Sequence, residues 1–116
     1  MSSAGAASLT AVRDVAPART EPVARLAPRY AVVLHNDDVH TFDYVIEVLQ
    51  EICLHPRDMA LQMALDAHHA GRRAIWTGSL EVAELKRDQI RTFGPDPHGR
   101  RPVADPLVVT LEPLRA

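Results

Sequence analysis

Three groups of residues in this 116-residue chain have types and spacings that could do chemistry. The first is Asn36-Asp37-Asp38 followed by His40, an amide, two carboxylates and an imidazole at the end of a β-branched run. Such a set accepts hydrogen bonds from a cation or coordinates a hard metal ion. The same residue types also build solvated turns, in which an Asp side chain bonds the backbone two residues on. The second group is His68-His69. Neighbouring helical residues point about 100° apart, so one metal ion is not easily held by both. A single His facing a pocket as a hydrogen-bond acceptor fits that position better. The third is Leu80–Lys86 (LEVAELK), whose interspersed charges read either as a solvated helix face or as a docking surface.

Composition narrows what these groups can serve. The chain is 47% apolar, 24% charged and 4% aromatic, with a formal net charge of -2 and one Cys. One Cys rules out a disulfide framework and any CxxC zinc site. Apolar runs fall far short of the ~18 to 20 residues that span a bilayer. The near-neutral charge provides no electrostatic footprint for nucleic acid. No P-loop, GxGxxG, GxSxG or HExxH pattern is present. The expectation is a small cytoplasmic binding protein, a monomer and not an enzyme, without cofactor, resident metal, membrane or nucleic-acid partner.

The groups need elements to position them. Residues 1–28 lack aromatics and periodicity and carry Pro17, Pro22 and Pro28, so they read as a flexible N-terminal arm. Residues 29–116 read as one domain. Tyr30–His35 is a short strand that ends at the Asn-Asp-Asp turn. Phe42, Val45, Ile46, Leu49 and Ile52 form a helical stripe, predicting a helix over 41–54. A second helix is expected from about Pro56 to Ala70, stopped by Gly71. Arg73–Thr77 reads as a strand, and Ser79 as the N-cap of a third helix over 80–93. Residues 94–106, rich in Pro and Gly, form a loop, and Leu107–Leu111 is the last strand. The order β-α-α-β-α-β predicts an α+β domain: a three-stranded antiparallel sheet with helices on one face.

Four pieces, taken together in this order and spacing, carry a resemblance. They are Tyr30-x-Val-Val-Leu-x-Asn36-Asp37-Asp38, Val45-Ile46-Glu47-Val48-Leu49-Gln50, His68-x-x-Gly71 and Glu81-Val82-Ala83-Glu84-x-Lys86. From about residue 29 to 112 the chain resembles the ClpS family, adaptors that hand N-degron substrates to a Clp-type AAA+ ATPase and its protease. The resemblance implies that Asn36 and a neutral His68 accept from a free α-amino group, with Asp37 beside them for the peptide backbone. It implies a side-chain pocket lined by Asp38, His40, Phe42, Val45, Ala64, Ala67 and Leu107, taking Phe, Tyr, Trp or Leu at a substrate's N-terminus. Glu81 and Lys86 correspond to the family's contacts with the N-terminal domain of the ATPase, and the arm would suit a role in delivery.

Some positions depart from the family pattern. Val39-His40-Thr41-Phe42 stands where members commonly read x-Thr-Pro-Met, which moves the expected N-cap to Thr41. Ala64 and Ala67 stand where Met and Val are common, and the loop before Leu107 is longer than usual. The implied pocket is wider at its floor and stiffer at its rim. Two other readings stay open: a module of the same fold without N-degron specificity, and a metal-dependent hydrolase or metal-binding protein built on Asp37, Asp38, His40 and His68.

Overall fold

The structure is a computed structural model and describes residues 27–115. The expected arm over 1–28 lies almost wholly outside the described residues. Six elements follow in the order β1 (Arg29–His35), α1 (Phe42–Glu51), α2 (Arg57–Ala70), β2 (Arg72–Gly78), α3 (Leu80–Arg91) and β3 (Val109–Leu114). The strands form one antiparallel sheet in the order β2-β1-β3. This is the α+β architecture and element order that the hydrophobic pattern dictates.

Central position explains the composition of β1. Ala31, Val32, Val33 and Leu34 are all buried, as expected of a strand with neighbours on both edges. Alternation sends Val32 and Leu34 into the core with Tyr44, Ile46, Leu49, Met63, Ile75 and Ile90. On the other side, an ion pair between Arg72 of β2 and Glu112 of β3 straps across the central strand. Ala31 and Val33 are small enough to lie beneath such long side chains.

Local chemistry sets the helix ends, and several boundaries differ from expectation. Thr41 is the N-cap of α1, its hydroxyl accepting from the Tyr44 N–H at 3.1 Å. That helix stops at Glu51 and not 54, because Leu54 adopts a left-handed φ of 61°. The His55 N–H then returns six residues to the Leu49 carbonyl at 3.2 Å, closing the wide turn that follows the helix. Pro56 is the N-cap of α2, one position before the first turn, and Gly71 ends that helix at φ 93°. Ser79 caps α3, which ends at Arg91 and not at Phe93, followed by Gly94 at φ 112°.

The last strand is shifted most. It runs from Val109 to Leu114, two residues later than expected at its start. Leu107 is drawn off into the pocket lining, and the Val108 carbonyl bonds the His35 N–H at 3.0 Å at the end of the sheet. Pairing then continues to Leu114 opposite Arg29, with Pro113 opposite Tyr30. Pro is tolerated there because β3 is an edge strand, so a missing N–H need not break a ladder bond.

Candidate functional site

The end of β1 is anchored on both sides. The Asn36 N–H donates to the Gly71 carbonyl at 2.9 Å, tying the turn to the end of α2. His68 lies one helical turn before Gly71, so this bond brings Asn36 and His68 to one rim. That is the physical content of the His68-x-x-Gly71 spacing.

All ten residues expected at the site line one pocket of about 180 Å³. This is the scale of a side chain, below the ~300–1,000 Å³ of a site for a drug-sized ligand. Its mouth is polar, with exposed Asn36, Asp38 and His68 beside the half-buried Asp37 and His40. Its floor is apolar, with Ala64, Ala67 and Leu107 buried and Val45 half-buried. Phe42 stands at the rim, 43% exposed, its ring edge-on to His68 with centroids 5.4 Å apart. Among the described residues, neither the Asn36 side-chain amide nor the His68 ring has a hydrogen-bond partner, so both are free to meet a ligand.

Two lining residues went unread in the sequence, Leu34 and His35. Alternation held the signal for the first, because Leu34 stands two residues before Asn36 in the chain that leaves β1. His35 is fixed by its own bond, Nε2 to the Thr110 hydroxyl oxygen at 2.8 Å.

The Asp37 carboxylate already holds three partners. Its Oδ1 accepts from the backbone N–H groups of Val39 and His40, at 2.9 and 2.8 Å, which is the Asx turn that the residue types allowed. Its Oδ2 meets His40 Nδ1 at 2.7 Å. The other His40 nitrogen, Nε2, points at the Asp105 carbonyl oxygen at 2.7 Å. Both partners are oxygens, one on the turn and one on the loop before β3. The ring also stacks on Tyr44 with centroids 5.3 Å apart. His40 thus joins the turn to the long loop before β3.

That loop is bonded to the start of α1 by Asp96, which is fully buried. Burial raises the Asp96 carboxyl, but the Thr41 and His98 N–H groups and the Thr41 hydroxyl outweigh it, leaving it below its ordinary value of 3.8. Asp37 behaves alike: burial raises it, and the His40 and Val39 bonds bring it below 3.8. An unfolded chain therefore binds more protons than the folded one near these values. The stability from both carboxylates is complete above about pH 4 and is lost as pH falls through their lowered folded values. Denaturant midpoints taken from pH 7 down to pH 3 are expected to hold and then fall, and Asp96→Asn should flatten part of that fall.

No group of three or more His, Cys, Asp or Glu suited to a metal ion occurs among the described residues. The rival metal set is instead divided: Asp37 and His40 satisfy one another and the backbone. Cys53 is buried, which pushes its thiol up to about 11 against the pull of Lys86, so it is no thiolate nucleophile.

Glu81 and Lys86 lie on α3, away from the pocket lining. Glu81 is exposed beside Leu85, which is 53% exposed. Five residues on, Lys86 is half-buried, and its ammonium donates to the Ile52 carbonyl at 2.7 Å. It therefore satisfies a carbonyl at the C-terminus of α1, where a cation is favoured. No helix among the described residues is long and apolar enough to cross a membrane.

The described residues thus form a small α+β domain that carries a pocket with a polar mouth and an apolar floor. The family model described as ATP-dependent Clp protease adaptor protein ClpS matches residues 25–110. The chain belongs to the ClpS family of Clp protease adaptors, a family of adaptors and not of catalysts. Among its relatives are the ATP-dependent Clp protease adapter proteins ClpS of Synechococcus sp. and Synechococcus elongatus. Each is 33% identical over 85 residues, spanning 72% of this chain and 93% and 90% of the relatives. ClpS2 of Agrobacterium tumefaciens, solved bound to L-phenylalaninamide, superposes with a TM-score of 0.64 at 26% identity, covering 75% of this chain and 98% of that one.

Proposed function

We propose that this protein binds the free α-amino group and bulky hydrophobic first residue of N-degron substrates and delivers them to a Clp-type AAA+ ATPase. One observation carries the reading. An amide and an imidazole without hydrogen-bond partners among the described residues share the mouth of a side-chain-sized pocket whose floor is apolar. A substrate's ammonium has three donors and needs such acceptors. In this reading the Asn36 oxygen and a neutral His68 nitrogen take the ammonium, and Asp37 offers its remaining lone pair to the peptide backbone. The first side chain enters between Phe42 and the floor formed by Ala64, Ala67 and Leu107, with Val45, Asp38 and His40 around it. The ClpS2 neighbour supports this, since its ligand combines a free amine with an aromatic side chain.

Alanines on α2 leave room for rings, so the preferred first residues are Phe, Tyr and Trp, followed by Leu. Fluorescence titration with peptides differing only at the first residue tests this. Binding confined to those four is expected. Equal binding of peptides beginning with Ala or Glu would favour a module of this fold without N-degron specificity.

Delivery requires a second surface, and in this reading Glu81 and Lys86 contact the ATPase N-terminal domain. The exposed Leu85 beside Glu81 adds apolar surface to that face. The two residues are expected to separate experimentally. Glu81→Ala should weaken ATPase capture while shifting stability by less than about 0.5 kcal/mol, as surface changes do. Lys86→Ala should also cost about 1 kcal/mol, because it leaves the Ile52 carbonyl without its cation. Pull-down with the ATPase N-terminal domain, alongside thermal unfolding, checks both. Peptide affinity should not change in either variant.

A further inference from the structure

The 94–106 loop has bonds that a mere connector does not need. Asp96 and Val103 exchange both backbone bonds at 2.9 Å, closing residues 96–103 into a ring. From inside this ring the buried Asp96 carboxylate accepts from the Thr41 N–H at 2.7 Å, the Thr41 hydroxyl at 3.1 Å and the His98 N–H at 2.9 Å. At the entrance to the loop, the Gly94 carbonyl accepts from the Tyr44 hydroxyl at 2.5 Å, and Phe93 packs edge-on to the Tyr44 ring. At its exit, the Asp105 carbonyl accepts from His40. Two residues later, Leu107 is itself part of the pocket floor.

These attachments converge. They fall on His40, Thr41 and Tyr44, which flank Phe42 on both sides. The neighbouring backbone can move little while Asp96 and the Asp105 carbonyl hold it, so the Phe42 ring stays against His68. We propose that Asp96 is a positioning residue for the binding pocket, and that the 94–106 loop sets first-residue selectivity by fixing Phe42 at the rim and Leu107 in the floor. This rests on the peptide-binding reading above and adds a determinant that touches no ligand.

Asp96→Asn tests it. Asn has the same shape but puts an NH₂ where two backbone N–H groups and a hydroxyl need acceptors, so a donor is left unpaired. In the folded variant, assayed well below its thermal midpoint, affinity for a Phe-initiated peptide is expected to fall by about tenfold, as when only about a tenth of the molecules hold Phe42 and Leu107 in the binding arrangement. The ratio of Phe to Leu affinities should change with it. The ring-current shifts that Phe42 imposes on His68 protons should also shrink. A merely structural role would lower the midpoint and leave the ratio and the shifts alone, which would overturn the proposal. Should Asp96→Asn not fold, Val103→Pro carries the same test, since it removes the N–H that closes the ring from outside the carboxylate. Wild-type protein is titrated first with the free and acetylated Phe peptides. No discrimination there removes the peptide reading itself, whereas discrimination there with an unchanged ratio in the variants removes only the role of the loop.

Discussion

Ala64→Phe is expected to fold and to lose about 10- to 150-fold in affinity for Phe-initiated peptides, because full burial of such a side chain is worth about 1.5–3 kcal/mol. Ala64 is 3% exposed and lines the floor, so its Cβ already points at the space a ligand side chain would fill. A ring built from that Cβ enters the pocket and not the core. Overpacking a closed core costs about 1–3 kcal/mol, and an open cavity spares most of that. Calorimetric titration gives the affinity, and thermal unfolding shows whether the variant is intact. Unchanged affinity in a folded variant would mean that the ligand side chain goes elsewhere.

Asn36→Ala should produce the second large loss, about 10- to 100-fold, since a hydrogen bond to a charged group is worth about 1.5–3 kcal/mol. The position is a clean test because the backbone N–H, not the side chain, ties Asn36 to Gly71. Alanine keeps that bond, so the turn should survive. The Phe-to-Leu affinity ratio should also survive, as the floor is untouched. His68→Ala should lose a similar amount, but it also removes the edge contact with Phe42, so its ratio should move. Titrating the same two peptides against both variants separates amine recognition from side-chain recognition.

Much of this arrangement was legible in the sequence because the site is built from local signals. Asn36 follows a strand and His68 precedes a Gly stop at fixed spacing, so two short motifs already placed both at the ends of neighbouring elements. Thr41 and Ser79 announced their caps by residue type. What escaped was non-local. Leu54 ends α1 early by taking a left-handed conformation that its side chain does not advertise. The start of β3 moved because Leu107 and Val108 are claimed by the pocket and by the end of β1. The last strand also runs on past the expected Leu111 to Leu114, because Pro113 is tolerated on an edge strand.

The loop teaches the same lesson at larger scale. Its Pro and Gly content correctly excluded regular structure, yet composition could not show that Asp96 reaches back 55 residues to Thr41. A carboxylate buried at a helix N-terminus is visible only once the chain has closed on itself. The double bonding of His40 is likewise a product of Asp37 and Asp105 lying on opposite sides of it.

The central claim is that the pocket reads a free α-amino group together with the side chain next to it. Calorimetric titration of the protein with a Phe-initiated peptide and with its N-acetylated twin tests that claim most directly. Acetylation removes the charge and two of the three donors while leaving the ring unchanged, so the polar mouth loses its partner. Saturable binding of the free peptide is expected, with at least a roughly hundredfold weaker response to the acetylated one. Equal affinity for the two peptides would contradict it.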